Sequence, residues 1–382
     1  MQYAVANFAY GTGPYLRTTE LALAINRERA VRGLPELGVI VPWVYGEKQR
    51  RIMREAFADA PLENVLLDKR LGGMLGTIFY GEHTYEQALR LWVERHDALS
   101  GEVRRHLSGE IAVEDVRGNT RTVRGSDIVI EISRAGRLAY GVAPVYAVAF
   151  GYVSEIMDKV RTIPQEAIAL DRELARRAAV LARGVEQSYV FRGRAHPGTF
   201  SYQEDEGRHP DGDTAIPPTI DVPAPHDEDI PEGIYVTVTG IPGLERLYRE
   251  AKALGLRLYA NDPDAVPGSE WLSPRAVANP RIRLHFARSG WGSVWLSQLT
   301  MTPLVAPSYD PHDDPEIYFN NICVEKLGLG VLYRGQPLAD ILAHAERLRP
   351  RVAALNAALA ARFGTLDGNS YAARRITDLM TA

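Results

Sequence analysis

Residues 283–307 read RLHFARSGWGSVWLSQLTMTPLVAP, and their order decides what kind of fold the chain can have. Residues 283–286 are a short apolar run, as a buried strand is. Ala287-Arg288-Ser289-Gly290-Trp291-Gly292-Ser293 is a glycine-rich turn, a helix follows from Gly292, and residues 303–306 form a second apolar strand. Strand, glycine turn, helix and strand in that order is the parallel βαβ unit. Such a turn offers free N–H groups and the positive end of a helix to an anion, typically a phosphate. Ser289 and Ser293 add hydroxyl donors. The turn has neither the Gly-Lys-Ser/Thr of a Walker loop nor the G-x-G-x-x-G spacing of a dinucleotide fingerprint.

The same rhythm extends in both directions. On the N-terminal side of the turn, residues 234–239 are a strand running into Gly240, 243–254 a helix and 257–259 a strand. On its C-terminal side, helices are expected at about 318–327 and 338–361. In the first half, strands are expected at 2–9, 37–43, 64–67, 127–132 and 145–150, with helices at 18–32, 47–57 and 85–107. The last of these has Thr84 at its N-cap with Gln87 three residues on, the pattern of a capping box. A turn is expected at 10–14 and an inserted hairpin at 111–124, around Arg117-Gly118-Asn119. Residues 201–232, rich in Pro, Asp and Glu, interrupt the rhythm and read as a solvated loop. The predicted architecture is α/β, with two Rossmann-like domains, 1–215 and 216–368, facing each other across a cleft. Helix 369–382 would cross back to the first domain.

Composition excludes several function classes. A chain of 382 residues exceeds what one hydrophobic core usually supports. With 46% hydrophobic and 24% charged residues it is ordinary for a folded protein, and a net charge of −4 gives no reason to expect nucleic acid as a partner. The one cysteine, Cys323, cannot close an intrachain disulfide, and no Cys/His spacing suggests zinc. No apolar stretch reaches the length of a membrane span, and the N-terminus lacks the features of a signal peptide. A cytoplasmic protein is the expectation, with peripheral membrane contact left open. The acidic cluster Asp310-Pro311-His312-Asp313-Asp314 lacks the convergent spacing of a metal ligand set, so no metal is expected.

Residues 271–330 resemble the nucleotide-sugar-binding region of GT-B glycosyltransferases, in particular UDP-glycosyltransferases and the N-acetylglucosaminyltransferase that makes lipid II. The likeness rests on Trp271-Leu272-Ser273-Pro274, the Arg288–Ser293 turn, Pro303-Leu304-Val305-Ala306-Pro307, Glu316 with Asn320, and Glu325-Lys326-Leu327-Gly328-Leu329-Gly330. In the first half, Gly11-Thr12-Gly13 is similar to the acceptor-side glycine loop of the lipid II enzyme. The resemblance implies that Trp271 lies by the nucleotide base. It implies that Gly240, Ser289, Gly290, Gly292 and Ser293 hold the diphosphate, with Arg288 as a basic contact. Glu316 would bind donor sugar hydroxyls, since a carboxylate accepts from two adjacent hydroxyls at once. The co-substrate implied is a nucleoside-diphosphate sugar, UDP-linked, with a small-molecule or lipid-linked acceptor and no bound cofactor or metal.

Two positions depart from that pattern. Where these families carry a Glu for the ribose hydroxyls, this chain has Leu296, followed by Ser297 and Gln298. Where inverting members carry a basic His after the first strand, residues 10–17 hold no His, Asp or Glu. An attacking hydroxyl must lose its proton, and Glu82-His83, in a loop expected between a strand and a helix, is the leading alternative. His196 and Asp127 stand next. Hexosyl transfer to a hydroxyl is the first function expected. A UDP-N-acetylglucosamine 2-epimerase-like activity and a catalytically silent GT-B-like binding subunit are the alternatives.

Overall fold

A computed structural model describes residues 1–8, 12–57, 60–79, 83–134, 136–203, 212–237 and 244–381. The chain begins with β1 (Tyr3–Phe8), every position of which is buried, then α1 (Thr12–Val31), β2 (Gly38–Pro42), α2 (Gly46–Ala56), β3 (Val65–Asp68), α3 (Lys69–Phe79) and α4 (Tyr85–Leu107). The hairpin β4 (Glu110–Asp115) and β5 (Thr120–Arg124) follows, then β6 (Ile128–Arg134), β7 (Val145–Ala149), α5 (Val153–Val160), α6 (Arg172–Glu186), β8 (Tyr189–Ala195) and β9 (Thr214–Ile216). The nine strands form one sheet in the order β5-β4-β3-β2-β1-β6-β7-β8-β9, parallel from β3 to β9, with the hairpin antiparallel at one edge.

The second sheet has six strands, all parallel: β10 (Gly233–Val236), β11 (Arg257–Ala260), β12 (Glu270–Trp271), β13 (Ile282–Phe286), β14 (Leu304–Pro307) and β15 (Gly330–Tyr333). Their order is β12-β11-β10-β13-β14-β15. Its helices are α7 (Leu244–Ala253), α8 (Trp291–Thr300), α9 (Pro315–Leu327) and α10 (Leu338–Phe363), and α11 (Gly368–Thr381) ends the described chain. Strands such as β2 and β14 are almost continuously apolar because helices cover both faces of each sheet. None of the described helices is long and apolar enough to cross a membrane.

Most expected elements form, including the hairpin and the Thr84–Gln87 capping box, in which Thr84 Oγ1 accepts from the Gln87 N–H. Four differences matter. Helix α1 starts at Thr12, so Thr12, Gly13 and Pro14 are its first turn and not part of a preceding loop. Helix α3 forms in spite of Gly72, Gly73 and Gly76, because Leu71, Leu75, Ile78 and Phe79 give it a buried face. The Glu82-His83 segment therefore follows a helix and not a strand. Helix α9 begins at Pro315 with Asp314 as its cap, three residues before the expected start. Finally, β9 runs to Ile216, so a boundary after residue 215 falls inside a strand of the first sheet.

The two sheets are joined by residues that follow β8. Trp295 Nε1 donates to the Pro197 carbonyl at 2.9 Å, and Trp291 Nε1 reaches Thr199 Oγ1 at 3.1 Å. Cys323 Sγ donates to the Gly198 carbonyl, and the Phe200 and Phe319 rings lie 5.1 Å apart. Helix α11 returns to the first sheet. Its Ala372, Ala373 and Ile376 join Leu21, Ala22 and Ile25 of α1 in one core, and Arg32, just after α1, pairs with Asp378 at 2.7 Å. The buried Arg134 guanidinium, at the end of β6, holds Thr219 and Asn369 together at the start of that crossing.

Candidate functional site

The carboxyl ends of β13 and β14 meet the joint between the two sheets, and the side chains that the sequence singles out collect there. Gly290 is the N-cap of α8 in an extended conformation with no capping side chain, so the Trp291 and Gly292 amides lack the carbonyl a preceding turn would supply. The Gly290 carbonyl accepts from Ser293 and Val294, which starts the helix. A Cβ added at Gly290 would meet nothing within 4 Å, so the space before the helix is open. Ser289 is fully buried, and its Oγ has no hydrogen-bond partner among the described residues. A buried hydroxyl without a partner is costly unless something else satisfies it.

Asn320 ties this turn to Glu316. Its Nδ2 donates to the Ser289 carbonyl and to Glu316 Oε1, each at 2.9 Å, while its Oδ1 accepts from Trp291 Nε1 at 2.8 Å. Asn320 thus lies within α9 and does not initiate it; the initiating cap is Asp314, whose carboxylate accepts from the Glu316 N–H at 3.0 Å. Burial raises the Glu316 carboxyl above the usual range, and the nearby Asp314 charge raises it further. The Asn320 hydrogen bond, Arg288 and Arg137 act the other way. Asp314 is raised by the same burial, opposed chiefly by Arg137.

Both arginines are themselves placed by specific contacts. Arg288 is exposed and pairs with Asp313 at 2.5 Å. Arg137 comes from the first sheet, after β6, where its guanidinium lies over the Tyr85 and Trp92 rings and donates to Tyr85 Oη at 3.1 Å. Its positive charge acts on the Asp314–Glu316 acid pair, lowering both carboxyls against the effect of burial. Trp271 is 59% exposed at the end of edge strand β12, which leaves its ring available for stacking. Ser293 and Gly292 are half-buried on the first turn of α8.

The structure thus brings together Arg288, Ser289, Gly290, Gly292, Ser293, Glu316 and Asn320. Gly240, Gly11 and Glu82 lie outside the described residues. Thr12 and Gly13 open α1 at the carboxyl end of β1. His83 is exposed between α3 and α4, two residues before Tyr85. His196 is buried, its backbone N–H given to Ile216. Asp127 precedes Ile128, which pairs with Tyr3 at the beginning of β1, so it sits at the amino-terminal end of the strands, away from their carboxyl ends. It is removed from the candidates for proton transfer. Near Leu296, neither polar neighbour faces the cleft: Ser297 Oγ bonds the buried His285 at 2.7 Å, and Gln298 bonds Asn356 at 2.9 Å. His312 is exposed, and among the described residues no group of three or more His, Cys, Asp or Glu is placed to hold a metal ion.

Arg137 and Asp314 were not picked out by the sequence reading. Asp314 has a local signal, an acidic residue before a proline and a helix. Arg137 has none, being brought to the site only by the fold.

No protein-family model and no curated protein matches the sequence. Solved structures do match across the whole chain. A UDP-glucosyltransferase from Polygonum tinctorium, capable of glucosylating indoxyl, superimposes with a TM-score of 0.63 at 13% identity, covering 100% of this chain and 99% of that one. Arabidopsis thaliana UGT89C1, in complex with UDP-L-rhamnose, gives 0.56 at 14% identity over 100% and 98% of the two chains. Acinetobacter baumannii MurG gives 0.51 at 13% identity over 99% of each. The architecture is therefore GT-B: two Rossmann-like units, each built on a sheet of mainly parallel strands, as the sequence leads one to expect.

Proposed function

We propose that the protein is a glycosyltransferase that moves a hexosyl group from a nucleoside-diphosphate sugar, UDP-linked, to an acceptor hydroxyl. The observation that carries this reading is the unsatisfied, fully buried Ser289 hydroxyl at the open N-terminus of α8, in the turn that Asn320 fastens to Glu316. A diphosphate supplies what that hydroxyl and the helix amides lack. A sugar attached to it extends toward Glu316, whose carboxyl group can bond hydroxyls. Trp271 would stack on the base, and Arg288, released from Asp313, would meet the charge of the departing nucleotide. One of the superimposable structures is a complex with UDP-L-rhamnose, which agrees with a UDP-linked donor.

In this reading residues 216–368 bind the donor and residues 1–215 the acceptor, a small molecule or a lipid-linked one. Proton removal from the acceptor falls to Glu82-His83, next to the cleft residue Tyr85. No cofactor or metal is invoked, since helix amides and arginines take the leaving-group charge.

A second reading has specific support. Leu296, with Ser297 and Gln298 both engaged elsewhere, leaves the ribose without its usual acidic partner, which suits a subunit that binds but does not turn over. One pair of measurements separates these readings. The first is a melting panel with UDP, GDP, dTDP and their sugars, in which a ligand at 100 times its Kd stabilises by about 2.7 kcal/mol. The second is nucleotide release with and without acceptor. Release that depends on acceptor supports transfer, and release or isomerisation without one supports an epimerase. Binding without turnover supports the silent subunit, and no binding of any nucleotide sugar overturns all three.

A further inference from the structure

Gly292, the second residue of α8, faces a side chain from the other half of the molecule. A Cβ added there would stand 3.4 Å from Nε of Arg17 and 3.9 Å from its Nη2. Arg17 belongs to α1, on the first sheet, and so reaches the foot of α8 from across the cleft. Its Nη1 is fixed by Glu20 one turn along at 2.5 Å, and about a quarter of the side chain is exposed. The other Glu20 oxygen is buried and has no hydrogen-bond partner among the described residues. Arg134, fully buried at the end of β6, lies close enough to sense the charges of both Glu20 and Arg17.

We propose that Arg17 is a diphosphate contact contributed by the acceptor-side domain, gripping the donor's phosphates opposite the α8 amides and Ser289. The proposal rests on the donor reading above. Its geometric grounds are separate from the sequence likeness: a guanidinium beside the second residue of a helix whose N-terminus holds an unpartnered buried hydroxyl. The guanidinium fork suits two phosphate oxygens at once. A Cβ at position 292 would make ordinary contact with Arg17, so the guanidinium lies directly against the first turn of α8. The chemical consequence is that charge developing on the leaving diphosphate is met from both domains. Arg17 would then join the halves through the donor itself.

The experiment measures Kd by calorimetry for UDP and for uridine on wild type, Arg17→Ala, Arg17→Gln and Arg17→Lys, with melting temperatures alongside. A charged hydrogen bond of this kind corresponds to about a 10-fold to 100-fold loss of affinity. UDP should weaken by that factor in the Ala and Gln variants, less in Lys, with uridine affinity unchanged. The Gln variant keeps a polar, uncharged side chain with an amide donor, so it reports even where Ala does not fold. UDP affinity within twofold of wild type in a folded Ala or Gln variant overturns the proposal while leaving the donor reading intact. Equal loss for uridine and UDP also overturns it, since a structural role would act that way. Wild type that binds no UDP, GDP or dTDP overturns the donor reading, and this proposal with it.

Discussion

The Asn320 carboxamide nitrogen stands 2.9 Å from the Ser289 carbonyl and 2.9 Å from Glu316 Oε1, so one amide group joins the α8 turn to the acid on α9. Both of its protons are used, and its oxygen is taken by Trp291. The turn and the carboxyl group therefore form one rigid piece rather than two adjacent features.

Asn320→Ala should break that piece. It removes the amide from the buried Ser289 carbonyl, at about 1–3 kcal/mol for a group left unsatisfied, and leaves Trp291 Nε1 only Thr199 Oγ1 as partner. Chemical denaturation should show a fall in stability, and nucleoside-diphosphate affinity should fall with it. Stability unchanged from wild type would mean that water replaces the amide and the coupling is weak.

Gly290→Val tests the donor turn more directly. The position is extended and its Cβ direction is empty, so the fold should tolerate the side chain and the melting temperature should stay close to wild type. The added methyl groups would occupy the approach to the α8 amides, and nucleotide binding should be lost. A folded variant with wild-type nucleotide affinity would move the diphosphate elsewhere.

Glu316 should discriminate between ligands that carry a sugar and those that do not. Removing a hydrogen bond to a charged or partly charged carboxyl costs about 1.5–3 kcal/mol. Glu316→Ala is expected to weaken nucleotide-sugar binding about 10-fold to 100-fold while free nucleoside diphosphate changes much less. Equal loss for both ligands would separate Glu316 from the sugar.

The acceptor base is sought with His83→Ala and Glu82→Gln, made separately. General-base catalysis contributes about 10²–10⁴-fold, so replacing the true base should lower transfer by that order and leave donor affinity alone. Near wild-type rates in both variants would pass the search to other cleft residues.

The first sheet carries a pH effect of its own. Glu131, in β6, is fully buried with Asn7 Nδ2 and the Tyr140 N–H as hydrogen-bond donors, and burial pushes its carboxyl up to about 8 against those donors. Unfolded, it would titrate near 4.5. The folded state therefore holds the extra proton between these values, and stability falls as pH rises through the window, by up to about 1.4 kcal/mol per unit. Denaturation midpoints at pH 5 and pH 8 should show this fall in wild type and a flatter profile in Glu131→Gln. The same slope in both proteins would assign it to another group.

How much of this was legible in the sequence depended on whether the signal was local. The βαβ rhythm, the α8 turn and the Glu316–Asn320 spacing are all contained in short stretches, and the fold follows them. Helix α3 was missed because three glycines argue against a helix locally, while the burial of Leu71, Leu75, Ile78 and Phe79 outweighs them. Asn320 reads as a helix cap from its neighbours, yet it is a bridge between two helices. Arg17 and Arg137 lie roughly 270 and 180 residues from the groups they face, a relation that only the fold of both sheets creates.

The packing of α11 on α1 has a bearing on how the protein is made. The ribosome releases α1 well before α11, with Leu21, Ala22 and Ile25 belonging to a core that Ala372, Ala373 and Ile376 complete. Every strand of the second sheet must be synthesised before that core is closed. The N-terminal unit, which usually has the advantage of folding first on a growing chain, must here wait with an apolar helix face uncovered. Nascent chains halted before residue 368 should therefore be unusually sensitive to proteases within α1, and that sensitivity should vanish once α11 clears the exit tunnel.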